Sequence, residues 1–189
     1  MRRAALAALL LLGASACRRK PSLPSGYPTL NPSRDFALTD QDGRVFRLKD
    51  HRGRVFLLFF GYLSCPDVCP ATMAKISRAT SLLGPRGRQV TTLFVSVDPA
   101  RDAPRKMKAY LSYFGTPSLG LTGTKAQIDA VVKAYGASYR KVSDGSAAGY
   151  AIDHSDLVYL IDGRGEVRRL FHPSDTAETI AAGLKPFLE

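Results

Sequence analysis

Cysteine, histidine and methionine are scarce in this chain, with three of each in 189 residues. Three cysteines cannot build the network of paired bridges that staples a small disulfide-rich fold. No apolar run approaches the ~20 residues that a membrane-spanning helix needs; the N-terminal one covers only Ala4 to Leu12. No internal repeat is visible. The one candidate phosphate loop, Gly123-Thr124-Lys125, lacks the Gly-Lys-Ser/Thr order of a P-loop, which excludes a nucleotide site of that kind. Acidic residues are the minority charge, 16 against 27 lysines and arginines, and the formal charge is +11. The basic residues are scattered and the aromatics lie within apolar runs, so no nucleic-acid partner is expected. Anionic lipid or an acidic protein suits this charge better. With 45% hydrophobic and 23% charged residues, what remains is the composition of one globular domain.

The N-terminus stands apart from that domain. Arg2 and Arg3 precede the apolar stretch Ala4 to Leu12, and small residues lead into Cys17. This is the layout of a secretory signal, and its ending resembles the lipobox of bacterial lipoproteins, with Ala14 where a larger aliphatic is usual. The reading is a lipoprotein-type signal peptide over 1–16, a lipid-anchored flexible tether over 17–33 and a folded domain over 34–189. A lipidated Cys17 beside Arg18, Arg19 and Lys20 would join an acyl chain to basic attraction for anionic lipid. The alternative is an ordinary secreted protein cut before Cys17. In either case the protein is expected outside the bacterial cytoplasm, and in the first it is membrane-anchored, facing the periplasm or the cell exterior. Pro21 to Pro32 is rich in proline and serine, as a tether should be.

Along the domain, Asp42-Gly43 between two alternating stretches predicts a hairpin. Arg54–Phe60 and the run from Gln89 to Val97 read as strands buried on both faces. Pro70 opens a helix with Met73, Ile76, Leu82 and Leu83 on its apolar side and Gly84 as its stop. Asp102 is placed as the cap of a second helix, which holds Met107 and ends at Gly115. A short strand, a third helix, a polar loop over "SDGSAAGYAIDH", two further strands and a last helix complete the order. Alternating buried strands and helices imply a layered α/β domain, a central mixed sheet with helices on both faces and an added N-terminal hairpin.

The chemistry gathers in "FGYLSCPDVCPATM", Phe60 to Met73, at the C-terminal end of the first buried strand. Such strand ends are where open α/β sheets place their ligands. Cys65 and Cys69 are four apart and can meet in a helix or a tight loop. With the helix opening at Pro70, Cys69 would lie against its positive end, which favours a thiolate. A thiolate serves disulfide exchange and metal binding alike, so this does not choose between them. In a thioredoxin-like fold the loop before the penultimate strand lies over the cysteines and usually carries a cis-proline. Here that loop has no proline, and His154 stands where the chain would face the cysteines. Two soft thiolates and an imidazole suit copper, Cu(I) above all, better than hard cations. Closed structural zinc would want four ligands. His51 and His172 are read as solvated surface residues.

"FGYLSCPDVCP", "VSVDPARDAP", "LGLTGT" and "YAIDHSDLVYLID", in that order and spacing, resemble the Sco/SenC family of copper-delivery proteins from about Phe36 to Leu188. The resemblance implies a membrane-anchored thioredoxin-like domain that binds Cu(I) or Cu(II) through Cys65, Cys69 and His154. It also implies a partner, the copper-binding subunit of cytochrome c oxidase or another exported copper protein, whose binuclear site it helps to load. Asp98 matches the family's Val-Asp-Pro aspartate, with a local turn-capping role or a supporting role at the site. Asp153 could orient the histidine loop, although a solvated carboxylate is the blander reading. The loop before His154 is small and basic where relatives can be acidic.

Two functions remain open on this basis. One is a copper metallochaperone without catalytic turnover. The other is an exported thiol–disulfide reductase, with Cys65 and Cys69 as a redox pair able to close as a disulfide. A peroxidase on a related fold is excluded, because the proline and threonine it requires are replaced by Leu58 and Tyr62. A methionine-rich copper carrier is excluded because beyond the signal only Met73 and Met107 remain, both helix residues. An imidazole opposite the cysteines favours the first function, since a reductase has no need of it.

Overall fold

A computed structural model of the chain describes residues 30, 35–143 and 149–188. The signal segment, Cys17 and nearly all of the tether lie outside the described residues. The domain opens with β1 (Ala37–Asp40) and β2 (Val45–Arg47), an antiparallel pair in the register Ala37↔Arg47 to Thr39↔Val45. The Asp40 carboxylate accepts from the Asp42 and Arg44 backbone N–H groups, at 2.8 and 2.9 Å, and Gly43 supplies the positive φ that closes the turn.

β3 (Val55–Gly61) is buried at every residue, as its unbroken apolar run requires, and leads into α1 (Val68–Leu82). β4 (Val90–Ser96) is likewise buried throughout and lies parallel to β3. α2 (Pro104–Ser112), β5 (Ser118–Thr122) and α3 (Lys125–Ala134) follow. α3 starts in a full capping box between Thr124 and Gln127. β6 (Tyr139–Val142) and β7 (Ala151–His154) form a separate two-stranded sheet. β8 (Val158–Ile161), β9 (Val167–Phe171) and α4 (Ala177–Leu184), capped by Thr176, end the fold. The main sheet runs β2-β1-β5-β4-β3-β8-β9, with β3, β4 and β5 parallel and the rest antiparallel to their neighbours. This is the mixed central sheet and added hairpin that the element order implies.

Side-chain alternation along β3 sorts the two faces. Phe60 meets Tyr135, at the end of α3, at 6.1 Å. Phe59 and Gly61 face the other way, toward α1 and α2: Phe59 lies 6.1 Å from Phe94, which meets Tyr110 of α2 at 5.8 Å. A β-carbon at Gly61 would sit 2.9 Å from Cys69 Sγ and from the Phe94 ring, so glycine there admits the sulfur to the sheet surface. Phe56, Phe59, Phe60, Phe94 and Phe171 are all fully buried, each contributing about 1.5–3 kcal/mol of transfer free energy.

Four local expectations are corrected. α1 begins at Val68, two residues before Pro70, which occupies an early helical position where its missing N–H leaves no bond unmade. Leu82 is exposed and does not join the apolar side, whereas Leu83, just past the helix, is buried. Asp102 is not a helix cap: the cap position of α2 is Ala103, without a side-chain bond, and the Asp102 carboxylate turns into the core. The stretch read as polar loop contains β7, because a four-residue strand with only Ile152 buried carries too little apolar signal. Among the described residues, no helix is long and apolar enough to cross a membrane.

Candidate metal centre

The turn from β3 into α1 carries the first cysteine. Its backbone is pinned twice: the Cys65 N–H donates to the Tyr62 carbonyl at 3.3 Å, and the Leu63 N–H donates to Asp102 Oδ2 at 3.1 Å. Asp67, at the cap position of α1, makes no side-chain cap bond. Instead the Cys69 N–H donates to Cys65 Sγ at 3.4 Å, so the Cys65 sulfur occupies the place of a capping oxygen. The positive end of α1 is therefore aimed at Cys65 rather than Cys69, a consequence of the earlier helix start.

Cys69 is fully buried beneath Gly61, and burial is the largest influence on its thiol, pushing it well above the ordinary thiol range. The neighbouring Cys65 pushes in the same direction. The helix-end argument for a Cys69 thiolate thus loses to desolvation. Cys65, by contrast, is half-exposed. In the metal-free reduced protein iodoacetamide is expected to modify Cys65 at least about tenfold faster than Cys69. Mass spectrometry of timed, quenched reactions checks this; equal rates would contradict the burial described here.

His154 arrives from the other side, as the last residue of β7, paired across the ribbon with Tyr139. Its Nε2 lies 3.4 Å from Cys69 Sγ, and its Nδ1 lies 2.9 Å from the Ser155 carbonyl oxygen. A carbonyl can only accept, so Nδ1 carries a proton, and in that tautomer the Nε2 lone pair faces Cys69 Sγ. Phe59 and Tyr62 hold the ring edge-on, at 5.9 and 5.8 Å between centroids. No cis peptide bond occurs among the described residues.

The two sulfurs and a ring nitrogen of His154 all lie within 4.8 Å of one another. An ion bound with N and S arms of about 2.0–2.3 Å would need a triangle with sides of about 4 Å, so closing the site takes only small side-chain movements. Cys65 and His154 are half-buried while Cys69 is buried, which leaves one side open for an ion to enter or leave. Both cysteines are free thiols.

The remaining candidates lie further out. Asp153 is exposed and pairs with Arg140 at 3.0 Å. Asp98 is buried; its carboxylate pairs with Arg101 and accepts from the Tyr150 hydroxyl at 2.8 Å. His172 is exposed, but His51 is not simply solvated, because its ring stacks on Phe46 at 4.6 Å. Met73 and Met107 are fully buried packing residues. Sequence reasoning missed Asp102, whose position before a helix looks like a cap, and Tyr62, Arg101 and Tyr150, which lie within the quoted stretches but are residue types that do not ligate a soft metal.

The sequence profile of the SCO1/SenC family matches residues 27–189. Protein SenC of Rhodobacter capsulatus is 35% identical over 175 residues, covering 93% of this chain and 77% of its own length. The structure of Bradyrhizobium japonicum ScoI with copper bound is similar with a TM-score of 0.75 and 40% identity, over 82% of this chain and 99% of that one. Yeast Sco1 with copper bound gives a TM-score of 0.73 and 31% identity, over 82% and 87% of the two chains.

Proposed function

Because the chain belongs to the SCO1/SenC family, a family of thioredoxin-like fold, we propose that it binds copper through Cys65, Cys69 and His154 and helps to load the binuclear copper site of cytochrome c oxidase. The observation that carries this reading is the convergence of two thiols and an imidazole nitrogen within 4.8 Å. Two thiolates with one imidazole form a soft donor set matched to Cu(I), and to Cu(II) through the same atoms. A Cu(I) ion held by two thiolates bears a net −1, which a basic chain accommodates, its formal charge of +11 falling only to +9 when Arg2 and Arg3 leave with the signal. The half-open side of the site supports a carrier that gives up its cargo. The basic, apolar N-terminal segment supports export and anchoring through a lipidated Cys17, with the domain acting on the outer side of a bacterial membrane.

An anaerobic Cu(I) titration of the reduced protein against a competing chelator tests the reading. One equivalent is expected to bind, and His154→Ala is expected to weaken it about a hundredfold, or about 2.7 kcal/mol. The competing function, thiol–disulfide reduction, uses the same cysteines but has no use for the imidazole. Unchanged affinity in His154→Ala, together with rapid reduction of a protein disulfide, would overturn the copper reading in favour of the reductase.

A further inference from the structure

One loop touches both halves of the site. Val97 to Ala103, between β4 and α2, holds the cysteine half through Asp102, whose Oδ2 accepts from the Leu63 N–H. The same loop holds the histidine half through Asp98 and Arg101. Tyr150, four residues before His154, rests with the Arg101 guanidinium 3.7 Å from its ring centroid and Lys141 Nζ at 4.1 Å. Arg101 Nη1 also donates to the Tyr150 carbonyl at 3.0 Å, and the Tyr150 hydroxyl donates to Asp98 Oδ1 at 2.8 Å. Asp98 closes the circuit by pairing with Arg101. Asp98 is itself buried and fixed, its N–H donating to Ser96 Oγ at 3.0 Å.

The arrangement is more than surface packing. Tyr150 is thus held at three points, its ring by a guanidinium, its carbonyl and its hydroxyl by hydrogen bonds, and β7 starts at the next residue. Within four residues the strand must then bring His154 over Cys69, and among the described residues the two-stranded sheet that carries it makes no ladder with the main sheet. Cation–π contacts of this closeness strengthen when partly shielded from water, and the Arg101 side chain is 22% exposed.

We infer that Tyr150, clamped by Arg101 and Asp98, is a positioning residue that sets the reach of His154 to the cysteine pair. The inference rests on the copper-binding reading above. It assigns to the β4–α2 loop the task of aligning two ligand-bearing segments that come from different parts of the chain. Through Tyr150 the loop acts on the histidine alone, leaving the cysteines where they are.

A double-mutant cycle tests this. Copper affinity is measured by chelator competition for the wild type, Tyr150→Phe, Tyr150→Ala, His154→Ala and the Tyr150→Ala/His154→Ala pair. Losing a partner that orients a ligand typically weakens metal binding about 10- to 100-fold. Tyr150→Ala is expected to lose that much, Tyr150→Phe less, and the double variant no more than His154→Ala alone, because a ligand that is absent cannot be mispositioned. An unchanged affinity in Tyr150→Ala overturns the inference, and so does a full additional loss in the His154→Ala background. A metal-free readout runs beside it: alkylation of Cys69, which His154 contacts, should accelerate in Tyr150→Ala while Cys65 reacts as before. If the wild type binds no copper the function proposed above fails, and this alkylation rate still decides whether Tyr150 positions the histidine.

Discussion

Cys65→Ser is expected to abolish high-affinity Cu(I) binding, lowering affinity at least about a thousandfold, or about 4 kcal/mol. Serine at neutral pH offers a protonated, hard oxygen in place of a soft sulfur. The fold should survive the change. Cys65 is half-exposed, and its structural contact is acceptance of the Cys69 N–H, which a serine oxygen can take over as an ordinary helix cap. Thermal unfolding should therefore move by no more than about 0.5–1 kcal/mol while the copper titration collapses. Cys69→Ser makes a poorer test, since it places a hydroxyl in a fully buried pocket under Gly61 and costs about 1–3 kcal/mol for that alone. Competition with a Cu(I) chelator under anaerobic conditions, paired with a melting curve on each variant, separates the two effects. Near-wild-type affinity in Cys65→Ser would move the copper site elsewhere in the chain.

The parts of the fold visible in the sequence are those written in apolar runs. β3 and β4 are continuous hydrophobic stretches, and burial on both faces follows from that alone. The hairpin turn was legible because Asp-Gly has a local mechanism, the Asx contact and a positive φ. β6 and β7 were not, because their pattern is polar and their pairing is long-range: Tyr139 meets His154 across a connection of small and polar residues. At the site, residue type named the three candidate ligands but not their environment. Which sulfur meets the helix end depends on whether α1 starts at residue 68 or 70, a difference that proline preference alone does not resolve. The fate of Asp102 was hidden for a related reason. Aspartate before Ala-Pro reads as a cap, and only the path of β4 reveals that Ser96 and Leu63 need its carboxylate more than the helix does.

Asp102 accordingly carries the second large expected effect, this time on the fold that supports the site. Its Oδ2 accepts from Ser96 Oγ at 2.7 Å and from the Leu63 N–H at 3.1 Å, and the residue is only 2% exposed. Asp102→Leu strands both donors in the interior and is expected to destabilise the protein by about 2–4 kcal/mol, measured by urea unfolding. It should also free the Leu63–Cys65 segment and weaken copper binding about tenfold. Asp102→Asn should behave differently. Both donors converge on one oxygen, so an amide oxygen in that place keeps both bonds.

Burial is the dominant influence on the Asp102 carboxyl and raises it above the ordinary carboxylate value, although the Ser96 and Leu63 hydrogen bonds pull the other way. A carboxyl raised on folding favours the native state below its unfolded value, and that contribution is lost as pH rises through the folded value. Asparagine has no such dependence. The stability of Asp102→Asn relative to wild type should therefore increase between about pH 4 and pH 7, with the gain confined to the range just above the ordinary carboxylate value. A difference that stays flat across that range would mean that the carboxyl is not desolvated as its burial implies. A difference that runs the other way would mean that the Ser96 and Leu63 bonds outweigh the burial and hold Asp102 ionised. In both outcomes the Leu variant still reports whether this carboxylate anchors the cysteine segment, because that effect depends on the two donors and not on the charge.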